Sequence, residues 1–226
     1  MSHHGVLSGH EIQKQIQKGR IRIDPYDLEQ INPASYDLTL GEGVKTYNVV
    51  EALDSRAQNP TSDWIIPRDG IVLRPGVGYL MHTRERVWTD TFVPVVDGKS
   101  SIGRLFIAVH ITAGYIDAGF DGHITLEVTA VHPVRVYAGM RICQIRFHTI
   151  AGEVMLYKGH YQGATATGAV ASRSWEQYRE NRNLLQREDQ SNELDRVEQE
   201  QLSCKGDHEA ARRSEDGCEL CGYYAK

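Results

Sequence analysis

Residues 97–128 bring together, within about thirty positions, side chains that could carry out chemistry as one site. The turn at 98–104, with the sequence GKSSIGR, supplies two hydroxyls, an ammonium, a guanidinium and several backbone N–H groups. Donors of these kinds in one turn are suited to binding an anion. Two candidate acid–base carboxylates, Asp117 and Glu127, follow ten residues apart. A candidate anion site and candidate acid–base groups therefore lie within one short stretch.

Glu127 lies in a predicted strand. Ile124, Leu126 and Val128 alternate with Thr125 and Glu127, and this period of two predicts a strand that is buried on one face. Glu127 then shares the other face with Thr125. A carboxylate in the middle of such a strand either faces solvent or lines a pocket.

The elements around this strand predict an all-β domain. Short runs that are apolar or alternating are separated by turn dipeptides such as Asp121-Gly122. Strands of this length and spacing indicate a β-sandwich or jelly roll. The predicted strands are 36–40, 71–73, 78–82, 92–96, 106–109, 124–128, 134–137 and 142–147.

Two further local patterns belong to this domain. Ser8 and Glu11 form a capping-box pattern that predicts a short N-terminal helix over 8–19, with Gly19 at its end. Residues 51–63 are polar and predict a loop.

Composition limits the classes of partner. The 226 residues include 25 basic and 30 acidic side chains, a net charge of −5, which predicts no general attraction to nucleic acid or to an anionic membrane. An anionic ligand must therefore be held by a local cluster. No apolar run approaches the roughly 20 residues of a membrane span, and the first residues show no apolar signal segment. We expect a cytoplasmic protein.

The last third of the chain differs in composition. Residues 151–175 are rich in Gly, Ala and Thr, which predicts a mobile segment that is either a lid or a bare linker. Residues 176–203 are mostly polar with a thin apolar stripe and predict a helical linker. The domain prediction is therefore a domain over 1–175, with a lid at 157–175, followed by this linker and a tail over 204–226.

The tail contains a possible metal site. Four residues have the spacing C-x₃-H-x₉-C-x₂-C, which suits a small structural zinc site; the alternative is a tail with unrelated thiols. With three of the four cysteines in this tail, a disulfide-stapled secreted fold is not indicated. The candidate zinc ligands are Cys204, His208, Cys218 and Cys221.

Three sequence blocks, in order and with consistent spacing, resemble the dCTP deaminases of the trimeric dUTPase-like superfamily. They are 98–104 (GKSSIGR), 109–120 (VHITAGYIDAGF) and 122–127 (GHITLE), and weaker blocks at 33–41 and 137–145 agree. The resemblance covers roughly residues 6–175. It implies the β-clip fold of that superfamily and a homotrimer with shared active sites, with a deoxycytidine nucleotide as substrate.

The resemblance also implies a metal-free deamination of dCTP to dUTP and ammonia. The H-x-E and P-C-x-x-C signature of zinc deaminases is missing from the sequence, so no catalytic zinc is expected. By resemblance, Glu127 takes a proton from the attacking water and protonates the leaving ammonia. Ser100 and Arg104 position that water and support Glu127 from a neighbouring chain, and the carbonyl of Ala113 is a third anchor.

The nucleotide-binding residues are likewise implied by the resemblance. Lysine, hydroxyl and backbone groups of the 98–104 turn would hold phosphates bridged by Mg²⁺. Asp117 would face the deoxyribose 3′-hydroxyl, and the main chain of Thr125 and Leu126 would read the pyrimidine. The remaining implied contacts are Lys99, Ser101, Ile102, Gly103 and Gln144 on the domain and Tyr157, Tyr161 and Gln162 in the lid.

The lid departs from the family pattern K-Y-x-x-Q-x-G. His160 replaces the lysine and Ala164 replaces the glutamine, which leaves room for a shorter or modified nucleotide. Gln162 is a candidate substitute for the missing donor. His110 also matches the family, but a lone histidine on an apolar strand is interpreted as a core residue.

Several alternatives stay open at this stage. Gly114 after Ala113 is typical of bifunctional members, which also cleave dUTP to dUMP and pyrophosphate. A third interpretation is a non-catalytic nucleotide-binding regulator that uses the tail. The plainer readings are a solvent-facing carboxylate for Glu127, a surface cation for Arg104 and an Asx-turn residue for Asp117.

Overall fold

The N-terminal helix, α1, spans Gly9–Gln17 and begins at the predicted cap. Ser8 Oγ accepts the backbone N–H of Glu11 at 3.3 Å, which satisfies one of the free donors at a helix start. Gly19 follows the helix at φ 70°, a conformation that favours glycine. The Ile12 side chain is fully buried and fastens the helix to the domain.

A computed structural model describes residues 5–49, 51–163 and 168–179. Most of the described residues belong to one unit, Met1–Arg173. The strands are β1 (Ile21–Asp24), β2 (Ile31–Asn32), β3 (Ser35–Thr39), β4 (Gly43–Tyr47), β5 (Thr61–Ile65), β6 (Ile71–Leu73), β7 (Tyr79–Thr89), β8 (Phe92–Gly98), β9 (Ile107–Ala108), β10 (Asp121–Ala130), β11 (Val134–Val136) and β12 (Arg141–Thr149).

These strands form two main antiparallel sheets. The first has the order β5-β4-β7-β10-β9, with β1 also paired to β7, and the second has the order β2-β3-β12-β8. Strands β6 and β11 form a separate pair. One hydrophobic cluster takes Leu38 and Ile145 from the second sheet and Met81 and Leu126 from the first. The predicted all-β sandwich is confirmed.

Strand β10 shows the predicted alternation along its whole length. Ile124, Leu126 and Val128 are buried, whereas Thr125 and Glu127 lie on the other face and are half-buried. Strand β7 alternates in the same way beside it. The central pair of the first sheet therefore turns Glu127 away from the core.

Three local predictions were wrong. Residue 106 is not in a strand: Phe106 has φ 56° and an exposed side chain. The predicted loop 51–63 contains the start of β5. The Asp121-Gly122 pair begins β10 instead of separating strands, and the positive φ lies at Gly119. The 98–104 turn contains a single helical turn, α2 (Ser100–Gly103).

The second unit begins at Ser174, and the structure describes it only over residues 174–179, which are helical. The rest of the predicted linker and all four candidate zinc ligands lie outside the described residues. Of the helices in the described ranges, none is long and apolar enough to cross a membrane. The single cysteine in these ranges, Cys143, is fully buried in β12 and carries a free thiol.

Candidate active site

A cavity of about 480 Å³ opens on the polar face of β10. Its volume is in the range that holds small molecules. Two carboxylates, four tyrosines and several apolar side chains share its wall. The lining residues are Tyr47, Leu80, Ala113, Tyr115, Ile116, Asp117, Phe120, Ile124, Thr125, Glu127, Tyr157, Tyr161, Val170 and Ser172.

Glu127 is fixed in this wall by two contacts on one oxygen. The backbone N–H of Ile111 donates to Oε2 at 3.1 Å, and His110 Nδ1 lies 3.1 Å from the same atom. The Glu127 side chain is 34% exposed. A half-buried carboxylate that is oriented in this way can exchange a proton with a molecule in the cavity.

His110 has a closer connection to the site than its expected core role implies. Its side chain is 15% exposed and contacts the Glu127 carboxylate. The other ring nitrogen, Nε2, is buried and has no hydrogen-bond partner among the described residues. Its place in the block 109–120 was the only sequence signal for this contact.

The backbone of β10 is irregular where it passes the cavity. Its pairing with β7 shifts between His123 and Thr125, and such bulges often re-aim side chains beside functional sites. On its other side β10 pairs with β9 only at Thr129 and Ala130. Within the described residues, the second edge of the strand around Leu126 is therefore open, so main-chain groups there can meet a ligand.

The loop before β10 brings Ala113 and Asp117 to the cavity. Gly114 O accepts the N–H of Val96 at 2.8 Å, which fastens the loop to β8. A Cβ at Gly114 would lie 2.9 Å from Val96 O, so a larger residue would push this loop away from the sheet. The glycine next to Ala113 is thus required by the packing seen here.

Residues after β12 return to the cavity. Tyr157 N–H donates to the carbonyl of Ala118 at 2.7 Å, and Val170 N–H donates to Thr125 Oγ1 at 3.2 Å. The described parts of the predicted lid therefore contact the cavity wall in this structure, whereas its mobility stays a prediction.

The two predicted tyrosines of the lid both line the cavity. Tyr157 OH accepts the N–H of Tyr161 at 3.2 Å, and Tyr161 OH accepts the N–H of Arg173 at 3.0 Å. A phenol that accepts one bond can still donate its own hydrogen. Both hydroxyls can therefore donate to a ligand.

Gln162 does not lie in the cavity wall. Its Nε2 donates to Gly119 O at 2.8 Å and its Oε1 accepts Asp121 N–H at 3.3 Å. The amide is used to hold the turn before β10. In this structure Gln162 therefore anchors the turn, and its role as a phosphate donor stays a prediction.

The 98–104 turn lies outside the cavity of its own chain. Ser100, Ser101, Gly103 and Arg104 are exposed on α2, and Ile102 points into the core with 5% exposure. The structure therefore does not join Ser100 and Arg104 to Glu127 within one chain. This arrangement agrees with the expectation that a neighbouring chain supplies them.

Lys99 and Gln144 are held at the second sheet. Lys99 Nζ donates to Asp37 Oδ2 at 2.6 Å. Gln144 accepts from Ser35 Oγ at 3.1 Å and donates to Gly98 O at 3.1 Å. Both residues are thus tied to the base of the turn that carries the predicted phosphate contacts.

Several cavity residues were not found from the sequence. Tyr47 lines the cavity from β4 and its OH accepts the N–H of Ser172 at 2.7 Å. Tyr115, Phe120 and Ile124 supply apolar surface. Nothing in the local sequence of β4 marks Tyr47, because the strand lies outside the matched blocks.

Residues 6–150 match the family model described as dCTP deaminase-like. The chain belongs to the dCTP deaminase-like family. The resemblance inferred from the sequence blocks is confirmed. The matched range contains the cavity residues from Tyr47 to Glu127 as well as α2.

Two relatives match this chain over most of their own length. A protein of Leptospira biflexa named "dCTP deaminase, dUMP-forming" is 47% identical over 158 residues, which cover 70% of this chain and 90% of that protein. A protein of Clostridium acetobutylicum with the same name is 45% identical over 158 residues, with the same coverage of both chains.

A solved structure shows the same fold. The 2′-deoxycytidine 5′-triphosphate deaminase from Agrobacterium tumefaciens superposes with a TM-score of 0.53 at 24% identity, over 65% of this chain. The aligned region spans 48% of that longer chain. At this identity the likeness supports the fold of this chain and nothing about its site.

Proposed function

We propose that this protein is an enzyme that deaminates dCTP and cleaves the product to dUMP. The observation that carries the proposal is Glu127, which lines a cavity of nucleoside size and is oriented by Ile111 N–H. The names of the relatives from Leptospira biflexa and Clostridium acetobutylicum support dUMP as product. They favour the bifunctional interpretation over release of dUTP.

Glu127 is the acid–base group of the first step. Its carboxylate takes a proton from a water that attacks C4 of cytosine, and the C4–N4 bond breaks as the same group returns the proton to the leaving ammonia. Water and dCTP thus give dUTP and ammonia. The carbonyl of Ala113, a residue of the same cavity wall, is the third anchor for that water, after Ser100 and Arg104.

The second step is the hydrolysis of dUTP. A second water attacks phosphorus, the bond between the α-phosphate and the bridging oxygen breaks, and dUMP and pyrophosphate leave. Asp117 lies in the same cavity wall as Glu127, where it faces the deoxyribose 3′-hydroxyl and fixes the sugar. The open edge of β10 at Thr125 and Leu126 reads the pyrimidine through main-chain groups.

The active site is completed by a second copy of the chain. Ser100 and Arg104 are exposed on α2 and lie outside the cavity of their own chain. A homotrimer with shared sites places these donors beside a neighbour's Glu127. A guanidinium suits this place because it stays charged and donates in a fixed fork.

Mg²⁺ fits this scheme as a companion of the triphosphate. The described residues contain no group of three or more His, Cys, Asp or Glu side chains that could form a protein cage for a metal ion. Mg²⁺ commonly keeps several waters and binds through substrate phosphates. When bound, it neutralises charge on the triphosphate, while Lys99 and Ser101 hold that end of the nucleotide.

Three finer points are part of the same proposal. The compartment is the cytoplasm, which is supported by the clustering of three of the four cysteines within residues 204–226, a pattern unlike that of a disulfide-stapled secreted fold. The deaminase domain ends at about residue 175. Cys204, His208, Cys218 and Cys221 form a structural zinc site with no part in the chemistry.

The decisive experiment follows two products from dCTP. Purified full-length protein is incubated with dCTP and Mg²⁺, and ammonia and pyrophosphate are measured together. Equal amounts of both products are expected. Ammonia with accumulating dUTP and no pyrophosphate would instead establish a deaminase of single activity, and binding of dCTP without ammonia would establish a regulator.

A further inference from the structure

Asp37, on β3, is a buried carboxylate with several polar contacts. The residue is 1% exposed. Its Oδ1 accepts from Asn32 Nδ2 at 2.8 Å, and its Oδ2 accepts from Lys99 Nζ at 2.6 Å. Arg141 Nη1 lies 3.7 Å from the same Oδ2. A charge this deeply buried is stable only when it is paired in this way.

Lys99 connects this carboxylate to α2. Its side chain reaches Asp37, and its main-chain carbonyl accepts the N–H groups of Ile102 and Gly103, both at 2.9 Å. No side chain caps the start of α2. The ion pair with Asp37 therefore attaches the first residue of this turn to the sheet behind it.

Asp37 shares a hydrogen-bonded network inside the domain with a second buried carboxylate, Glu85, which has no contact with Lys99 among those described. Gln30 Nε2 donates to the carbonyl of Asp37 at 2.6 Å and to Glu85 Oε1 at 3.2 Å. Glu85, itself 1% exposed, accepts from Thr39 N and Oγ1 at 2.9 and 2.7 Å. The position of Asp37 is thus set by the core and not by solvent.

We propose that Asp37 is a positioning residue for the phosphate end of the nucleotide, acting through Lys99 and the start of α2. This inference rests on the proposed function. One N–H of the Lys99 ammonium is used by Asp37, and the ammonium has two further N–H groups that can donate to a ligand, on a side chain that is 27% exposed. A fixed ammonium binds a polyphosphate without first losing its side-chain freedom.

If Asp37 acted only through its charge, loss of its carboxylate would change the affinity for dCTP in the opposite direction. The Asp37 carboxylate cancels positive charge from Lys99 and Arg141, so its removal alone would strengthen attraction of a triphosphate. A positioning role predicts weaker binding in spite of the extra net charge. The direction of the change separates the two roles.

The test is Asp37→Asn, with Glu85→Gln as matched control. Both changes convert a buried carboxylate of one network to an amide, but only Asp37 contacts Lys99. For D37N we expect the KM for dCTP to rise about tenfold with kcat within about threefold of wild type. The inhibition constant of deoxycytidine, which lacks phosphate, should stay within about twofold.

Calorimetric binding of dCTP separates this inference from the proposed function. A wild type that binds dCTP without turnover would end the deaminase proposal, and weaker binding by D37N would still support positioning. Unchanged or tighter binding by D37N, or an equal loss with E85Q, would overturn the inference.

A second variant covers the case in which D37N does not fold. Lys99→Arg keeps the charge on a half-buried side chain but changes its reach and geometry. If the placement of the cation matters, K99R should weaken dCTP binding by a similar factor. Binding equal to wild type would show that charge alone suffices and would overturn the inference.

Discussion

At the scale of the residue, the Glu127 carboxylate is accessible from the cavity and is also held in one orientation by a hydrogen bond. It is 34% exposed toward the cavity, while one of its oxygens is held by the backbone N–H of Ile111. A backbone donor cannot rotate away as a side chain can. The carboxylate is therefore kept in one orientation before any nucleotide enters, which reduces the reorganisation that the reaction requires.

Glu127→Gln should lower the rate of ammonia release from dCTP by at least about 100-fold, because an amide cannot take a proton from water at neutral pH. The amide oxygen can still accept from Ile111 N–H, so thermal unfolding should be little changed. Glu153→Gln, an exposed position outside the cavity, is the control. Turnover by E127Q at near wild-type rate would reject the assignment.

At the scale of the element, strands β4 and β7 meet at a half-buried histidine, His82. Gly43 N–H donates to His82 Nε2 at 3.1 Å, so Nδ1 carries the hydrogen and donates to Thr83 O at 2.8 Å. The ring packs against the backbone at Gly41. Neutral His82 therefore has both ring nitrogens satisfied, whereas its cation would lose the bond from Gly43.

Gly41→Ala should lower the free energy of unfolding by about 1–3 kcal/mol. A Cβ at this position would lie 2.1 Å from His82 Cε1, so the ring or the strand must move. Gly78→Ala is the matched control, because a Cβ there meets nothing within 4 Å. Urea unfolding of both variants checks this, and equal stability of the two would contradict the packing.

Acid should destabilise the domain through His82. Burial lowers the pKa of His82 below its ordinary value; His123 lowers it further, and the bond to Thr83 O and the charge of Glu42 act against this. The unfolded chain thus binds the proton more readily, so stability falls as pH drops below about 6.5, the ordinary pKa of histidine, by at most about 1.4 kcal/mol per pH unit.

His82→Gln should remove this component. The difference in unfolding free energy between wild type and H82Q, measured by urea titration from pH 8 to pH 5, should shift in favour of H82Q as pH falls. A pH-independent difference would show that His82 does not titrate differently in the folded and unfolded states.

The sequence predicted central elements better than edges. Strand β10 was recognised because burial on one face imposes a period of two, and that period also placed Glu127. Strand β5 was missed because four of its five residues are exposed, so no apolar period marks it. Phe106 was misassigned because an apolar residue in a turn has the same local composition as one in a strand.

Contacts between segments that are distant in the chain could not be predicted from local sequence patterns. The pairing of Asp37 with Lys99 joins residues 62 positions apart, and Tyr47 reaches the cavity from a strand outside the matched blocks. The matched blocks identified Glu127 and Asp117, whereas the chain fold was needed to show that Gln162 is used as an anchor.

At the scale of the whole molecule, the separation of α2 from the cavity predicts complementation. Arg104→Ala and Glu127→Gln should each be inactive alone if every site takes one residue from each of two subunits. Random mixing of equal amounts should restore about one quarter of wild-type activity, because one site in four combines two intact groups.

Co-expression of the two variants with different tags provides the measurement. Doubly purified trimers, from which the homotrimers of either variant have been removed, should reach about one third of wild-type ammonia release, because one of their three sites combines two intact groups. Each variant expressed with itself is the control. A mixture that stays inactive would show that Arg104 and Glu127 act within a single chain.

The burial of Cys143 allows the cysteines of the tail to be counted by their reaction with a thiol reagent. Complete burial raises the pKa of its thiol, and a protonated, inaccessible thiol reacts slowly with alkylating reagents. Titration of the native protein with a chromogenic thiol reagent therefore counts only Cys204, Cys218 and Cys221. If zinc is bound, fewer than three of these thiols should react at first. A chelator should then raise the number of reacting thiols to three and release one zinc ion per chain, which would establish the metal site in the tail.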